Sequence, residues 1–389
     1  MKAEAKLFNK IYLLLILVNL ITAFGYSMIA TLISSYAVTL GAGLTMAGAL
    51  AGLFSLSALC IRPVSGIAID LVNKWNLCIL SALLICISFL GYALVPGIVG
   101  ILFFRVLHGV AFGINGTVSM VLVSEAIPSD RLGEGLGYFG IGQIIAQICG
   151  PNIGMAIRSR FGFHNLFFIA SVLTVLAIFL LVYMKKTVPV PRTVKKDKAV
   201  VRLNNLVAKE CVVYALIAGL FSLGNGITSS FLVLVGEERN IANIVLFFTV
   251  NAMILLVMRF LIGKLVDRAS LTWIVNISLL LTAASMIMIG KAGGLVLILM
   301  AAVFKAIGQG GGQISLQTAC IKKADAARVG IATSTYYIGA DIGQGFGPMI
   351  GGKLSEVYGY KIMFYCTGAL MLLGVAAFNI YQRNEKLLR

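Results

Sequence analysis

A block of residues near position 70 recurs 197 positions later, and this duplication constrains the fold more than any single residue. Arg62, Gly66 and Asp70 return as Arg259, Gly263 and Asp267. The same offset carries Gly150-Pro151-x-x-Gly154 onto Gly347-Pro348-x-x-Gly351, and Phe161-Gly162-Phe163 onto Tyr358-Gly359-Tyr360. The chain therefore consists of two copies of one unit of about 200 residues.

The composition indicates that both copies lie in a membrane. The chain is 60% hydrophobic and 12% charged, with a mean hydropathy of +1.00, whereas soluble domains are about 25% charged. Seven cysteines form an odd set without metal-ligand spacing, which argues against a disulfide scaffold and a zinc site. We predict an integral membrane protein with no metal and no cofactor. The first apolar run is too long for a signal peptide and is interpreted as the first span.

Apolar runs long enough to cross the bilayer as helices form two sets of six. They lie near residues 11–33, 44–62, 77–95, 98–124, 135–157, 164–184, 211–235, 241–262, 273–290, 294–320, 329–352 and 360–381. The predicted fold is an all-α membrane protein of twelve transmembrane helices in two pseudo-symmetric six-helix bundles. The predicted domains are residues 1–184 and 211–389, joined by a basic linker over residues 185–210.

The distribution of positive charge predicts the orientation. Six of the 31 lysines and arginines lie on the predicted outer side, at Arg158, Arg160, Arg239, Lys291, Lys353 and Lys361. Arg105 and Lys305 lie inside spans, and the others, including those of the linker, lie on the opposite side. The positive-inside rule then places both termini and the linker in the cytoplasm. The net charge of +17 thus reflects topology rather than nucleic-acid binding. The linker either lies on anionic lipid or has a regulatory role.

The repeated loop motif identifies a family. Arg62 precedes Gly66-Ile-Ala-Ile-Asp70-Leu-Val-Asn-Lys74, which resembles the loop signature of the major facilitator superfamily. Asn73 replaces the usual glycine and Leu71 the usual basic residue, whereas the second copy keeps a basic residue, Arg268, directly after Asp267. The resemblance implies that these loops help to close one face of a transporter. The implied gating residues are Arg62, Gly66, Asp70, Lys74, Arg259, Gly263, Asp267 and Arg268.

Glycine motifs extend the resemblance into the spans. Arg105-x-x-x-Gly109-x-x-x-Gly113 resembles a second superfamily signature, and Gly137 with Gly150-Pro151-x-x-Gly154 resembles that of drug:proton antiporters. Ala146 and Met155 replace two glycines of the antiporter pattern. Small residues let helix backbones approach in lipid, and proline permits a bend. Spans five and eleven, with Gly347, Pro348 and Gly351 in the latter, are therefore either moving elements or static close-packed ones.

Polar residues recur along one face of two repeat-equivalent spans. Span four carries Arg105, His108, Phe112, Asn115 and Ser119 at helical spacing, and span ten carries Lys305, Gln309, Gln313 and Gln317. In the superfamily, helices one, four, seven and ten line the central cavity, so the resemblance places both stripes there. The same helices add Asn19, Thr22, Tyr26, Asn225 and Ser229.

Asp341 is the carboxylate that the sequence places deepest in a span. It shares a helix face with Tyr337 and Gln344, and its repeat equivalent is Ile144. Charges inside spans cost about 2.5–3.5 kcal/mol each, so they mark functional positions. Asp341 either forms a static ion pair with Lys305 or binds and releases a proton as their separation changes. Arg105 is a further candidate for proton coupling, through a coupling or structural role. His108 is another, because histidine titrates near physiological pH.

The resemblance implies proton-coupled export of a small amphipathic molecule by alternating access. Uptake or exchange of an organic anion is the alternative, because Arg105 and Lys305 suit a negative substrate, and lipid translocation is a further one. No His-Glu-x-x-His motif or pair of intramembrane aspartates is present, so an enzyme is not predicted. The predicted partners are a small-molecule substrate, protons and membrane lipids. We predict a multi-pass protein of the cell membrane that acts as a monomer.

Overall fold

A computed structural model describes residues 7–95, 97–128, 131–187, 208–265, 269–323 and 329–387. Within these ranges the regular elements are helices, preceded at α7 by a 3₁₀ turn over Lys209–Cys211. The helices are α1 (Lys10–Ala30), α2 (Ile33–Thr39), α3 (Leu44–Leu71), α4 (Lys74–Leu94), α5 (Ile98–Ala126), α6 (Leu132–Thr187), α7 (Val212–Glu238), α8 (Leu246–Leu265), α9 (Leu271–Lys291), α10 (Leu295–Lys323) and α11 (Val329–Leu387).

Nine helices in the described part of the chain are long and apolar enough to cross a membrane. The prediction of an all-α membrane protein is therefore confirmed. Helices α6 and α11 each cover two of the spans predicted from sequence. Each is broken by a glycine with positive φ, Gly162 (φ 80°) and Gly359 (φ 79°), a backbone conformation that glycine adopts without steric cost. The count of twelve spans stays a prediction.

One helix extends beyond its predicted span. The second span is predicted near residues 44–62, and the apolar part of α3 covers Leu44–Ser65. The helix itself continues to Leu71, so the backbone at Arg62, Gly66 and Asp70 is helical. The break comes at Asn73, whose side chain accepts hydrogen bonds from the backbone of Trp75 (3.0 Å) and Asn76 (3.3 Å). This cap supplies acceptors for the first free amides of α4. Its repeat equivalent, Ser270, caps α9 in the same way.

The described residues fall into two compact units. The first comprises those of Met1–Leu40 and Leu53–Val194. Its core packs α1 against α6 and α4 against α5 and α6, around side chains such as Tyr12, Leu122 and Leu181. A hydrogen bond also links α1 to α6. The Tyr12 hydroxyl donates to the carbonyl of Gly135 at 2.6 Å.

The second unit comprises Gly41–Gly52 and the described residues of Lys195–Arg389. In it α7 packs along α11, and α10 packs against α8 and α9, around side chains such as Phe221, Leu279 and Phe378. The start of α3 belongs to this unit, where the backbone N–H of Thr45 donates to Glu356 Oε2 at 3.0 Å.

Candidate functional site

The polar stripe of the second unit lies on a glycine-rich helix. A Cβ on Gly308 would meet Ser278 and Thr282 of α9, and one on Gly312 would meet the ring of Phe221 on α7. These glycines let α10 approach its neighbours closely. The close approach brings Lys305 and Gln313 within hydrogen-bond reach of α7.

Lys305 is buried at the centre of this stripe, with 2% of its surface exposed. Its amine donates to Asn225 Oδ1 on α7 and to Gln309 Oε1 on α10, each at 2.8 Å. Within the described part of the chain both acceptors are neutral amide oxygens. The two alternatives from sequence, a static Lys305–Asp341 ion pair and a titrating Asp341, stay predictions.

The amide network continues from Lys305 to a third helix, α11, and makes a second contact with α7. Asn225 Nδ2 donates to Gln344 Oε1 on α11 (3.1 Å), while Gln309 Nε2 donates to Gln313 (3.3 Å), whose own amide donates to Ser222 on α7 (3.2 Å). Asp341 is half-buried one turn before Gln344 on α11. Asp341 thus lies one helical turn from a hydrogen-bond network that joins α7, α10 and α11.

The corresponding helix of the first unit, α5, packs closely on α3. A Cβ on Gly109 would meet the backbone oxygen of Phe54, and one on Gly113 would meet Ile61 and Ala58. This contact places Arg105, 3% exposed, with its guanidinium 4.5 Å from the centroid of the Phe54 ring. Such cation–π contacts are worth about 2 kcal/mol or more when desolvated.

His108 is fully buried in an aromatic cluster beside Arg105. Its ring contacts Phe54 and Phe89 edge to face, with centroids 4.9 Å and 4.8 Å away. Its Nδ1 lies 3.3 Å from the hydroxyl of Tyr92 on α4. Tyr26 stacks on both Phe54 and Phe112, each at 5.0 Å. The structure therefore joins four of the predicted residues, Arg105, His108, Phe112 and Tyr26, in one cluster.

The other predicted cavity residues mostly bond within their own unit. Asn115 donates to Ser81 (3.1 Å), and Ser119 lies 4.0 Å from Cys78 Sγ, both partners being on α4. Asn19 donates to the carbonyl of Phe139 on α6 (3.0 Å). Thr22 and Ser229 bond carbonyls of their own helices, and the Tyr337 hydroxyl accepts from Gln317 (3.0 Å).

The glycine–proline motifs lie at helix contacts in both units. A Cβ on Gly150 would meet Ser27 of α1, and one on Gly154 would meet Met28. In the second unit a Cβ on Gly347 would meet Leu223 of α7, and Gly351 faces Ile227. Pro151 and Pro348 are buried beside them. These contacts show the close packing that glycines permit, and movement along them stays a prediction.

The predicted gating residues are described only in part. Lys74 forms an ion pair with Glu125 at the end of α5, and the carbonyl of Arg62 accepts from Ser65 at 2.8 Å. The remaining predictions fall on residues whose side chains or whole positions lie outside the described part, namely Gly66, Asp70, Gly137, Arg259, Gly263, Asp267 and Arg268.

Sequence reasoning missed the partners that complete both clusters. Phe54, Phe89 and Tyr92 surround Arg105 and His108, but they come from helices α3 and α4 that carry no polar stripe. Ser222 was detectable in principle, because it lies three residues before Asn225 on the same face of α7.

The sequence matches the model of the Major Facilitator Superfamily over residues 15–327 and again over residues 214–387. The chain belongs to the Major Facilitator Superfamily. It is a multi-pass membrane transporter of this superfamily, so the prediction of a transporter rather than an enzyme is confirmed.

Two relatives within the superfamily are named as exporters. The chain is 28% identical over 187 residues to the multi-drug resistance efflux pump PmrA of Streptococcus pneumoniae, a match covering 47% of this chain and 46% of that protein. It therefore spans about half of the length of this relative. It is 21% identical over 347 residues to the staphylopine export protein of Staphylococcus aureus, covering 86% of each chain.

Solved superfamily structures share the fold at low sequence identity. A POT family transporter in complex with 5-aminolevulinic acid has a TM-score of 0.82 at 15% identity and covers 96% of both chains. The nucleoside transporter NupG has a TM-score of 0.77 at 14% identity and covers 96% of this chain and 99% of that one. These likenesses confirm the major facilitator fold.

Proposed function

We propose that this transporter exports a small amphipathic molecule in exchange for protons, by alternating access in a bacterial plasma membrane. The names of the pneumococcal and staphylococcal relatives support export as the direction. The observation that carries the proposal is the buried Lys305 amine, whose acceptors are amide oxygens. A cation held in this way can exchange an amide acceptor for a polar group of the substrate.

Asp341 is the proposed proton carrier. It lies one turn from Gln344, which is bonded through Asn225 to Lys305. Protonation of Asp341 changes the charge beside this network, and the network ties α11 to α7 and α10. Proton binding on α11 and substrate binding at Lys305 are thereby coupled through the hydrogen bonds of Asn225.

Transport in inverted membrane vesicles tests the proposal. The probes are fluorescent amphipathic dyes of cationic, neutral and anionic type, added outside while the vesicle lumen is acidified. Export by antiport predicts saturable accumulation of at least one dye that collapses with the proton gradient. Vesicles with the same expression level of Lys305→Met provide the background.

Uptake of an organic anion is the second candidate. It is favoured by Arg105 and Lys305, which are both buried, because a negative substrate offsets the cost of burying a positive charge. Anion accumulation driven by an inward proton gradient, with none on acidifying the lumen, favours this candidate and contradicts export.

A further inference from the structure

A groove at the end of the first unit combines an apolar wall with uncommitted positive charge. It has a volume of about 420 Å³ and lies between the start of α4 and the end of α6. Leu80 and Leu83 of α4 line it and are 50% and 42% exposed. Lys185 and Lys186, in the last turn of α6, lie at its basic end.

The lysines of the groove are available to a ligand. Within the described part of the chain, neither Lys185 nor Lys186 forms a hydrogen bond or an ion pair, and both are exposed. The neighbouring Lys10, by contrast, donates to the hydroxyl of Tyr183 at 3.0 Å.

A second groove, in the other unit, differs both in the polarity of its lining and in the contacts of its lysine Lys323. It holds about 270 Å³ between α7, α9 and α10, and Ser315 and Thr318 contribute polar groups to its lining. Its Lys323 is already engaged, because the amine donates to the Tyr381 hydroxyl at 2.8 Å and lies 5.2 Å from the centroid of the Tyr214 ring.

We propose that the groove between α4 and α6 is a binding site for an anionic phospholipid. The phosphate binds Lys185 and Lys186, Asn76 contacts the polar headgroup, and an acyl chain lies along Leu80 and Leu83. Basic pockets between transmembrane helices bind such headgroups, and each lysine near an anionic membrane surface contributes roughly 1 kcal/mol. Burial of the leucine side chains under an acyl chain adds apolar contact that a soluble phosphate lacks.

The two tryptophans of the chain allow a direct test. Trp75 precedes Asn76 of the proposed site, and Trp273 lies between two residues of the other groove, Leu271 and Ile274. In the Trp273→Phe background, quenching of Trp75 fluorescence is titrated in nanodiscs with phosphatidylglycerol or phosphatidylcholine brominated on the acyl chains. We expect half-maximal quenching at a mole fraction of phosphatidylglycerol on the order of tenfold lower than of phosphatidylcholine.

Substitutions distinguish binding of the lipid in the groove from unspecific attraction of anionic lipid to surface lysines. The double variant Lys185→Gln/Lys186→Gln is expected to lose the preference, whereas Lys185→Arg/Lys186→Arg and the charge-matched control Lys322→Gln/Lys323→Gln keep it. Leu83→Phe, which fills the groove with the charge intact, is expected to weaken quenching. In the Trp75→Phe background, Trp273 should report a much smaller preference.

Several results overturn the proposal. Equal quenching by the two lipids contradicts it, and so does a preference that survives Lys185→Gln/Lys186→Gln. Equal loss in the Lys322→Gln/Lys323→Gln control, or full quenching in Leu83→Phe, indicates charge attraction without a groove site. Relief of the quenching by soluble glycerol phosphate at matched concentration shows that the acyl chain is not recognised.

Discussion

Among the described residues, each unit buries one cation, at equivalent helices, but the surroundings of the two cations differ. Arg105 of the first unit lies over the ring of Phe54 within an aromatic cluster, whereas Lys305 of the second unit is held by amide oxygens. A planar guanidinium stacks on rings, and an ammonium directs its three donors at separate acceptors. The duplicated fold thus carries two kinds of polar site, one surrounded by aromatic rings and the other a chain of hydrogen bonds between amide groups.

The largest effect is expected from Lys305→Met. This change removes the donor shared by Asn225 and Gln309, and a buried acceptor left without a partner, here that of Gln309, costs about 1–3 kcal/mol. We expect transport to fall to background and the unfolding temperature of the purified protein to drop. Lys291→Met, at the exposed end of α9, is the control. Wild-type transport by Lys305→Met contradicts a role for the amide network.

The packing of α5 on α3 is tested by Gly109→Ala. The added methyl would meet the backbone oxygen of Phe54, and overpacking of this kind costs about 1–3 kcal/mol. Gly116→Ala is a matched control on the same helix, because open space faces it. It should be neutral or stabilising by up to about 1 kcal/mol. The midpoint of thermal unfolding in detergent is measured for both variants. Equal midpoints contradict the close packing of α5 on α3 at Gly109.

Exchanging arginine and lysine at the two buried positions tests whether each site suits one type of cation. Arg105→Lys keeps the charge but loses the stacked guanidinium, so we expect a loss of about 1 kcal/mol in the free energy of unfolding. Lys305→Arg keeps the charge but offers a planar group to acceptors arranged for an ammonium. The free energy of unfolding in detergent and the rate of dye transport are measured for both variants. If neither quantity changes in either variant, only the charge at the two positions matters.

The smallest effect is expected from His108→Phe. The ring lies among Phe54, Phe89 and Tyr92, so an aromatic replacement keeps most contacts and loses the weak bond to Tyr92. We expect transport within about fivefold of wild type, since one net hydrogen bond is worth about 1 kcal/mol or less. Loss of pH-gradient dependence in this variant assigns proton coupling to the first half instead.

The sequence was sufficient for the fold but not for the local partners. The 197-residue repeat and the hydropathy predicted an all-α duplicated membrane protein, because transmembrane helices are specified by long apolar runs. The same reasoning located the second span but not the end of its helix, because a helix that leaves the bilayer continues to a stop signal, here the cap at Asn73.

At the candidate site, spacing along one helix was informative and contact between helices was not. The stripes of α5 and α10 were visible as periodic polar residues, and Lys305 does bond Gln309 on its own helix. The bonds to Asn225 and Ser222, and the ring of Phe54 beside Arg105, depend on how closely glycines let neighbouring helices approach. One sequence read helix by helix does not contain that information.

The most direct test of the account compares proton coupling in the two halves. Dye transport in proteoliposomes is measured with and without an imposed pH gradient for Asp341→Asn, His108→Phe and the surface control Glu238→Gln. We expect Asp341→Asn alone to lose the dependence on the gradient, because Asp341 lies beside the Lys305 network and His108 is buried in an aromatic cluster. Gradient-driven transport that persists unchanged in Asp341→Asn contradicts it.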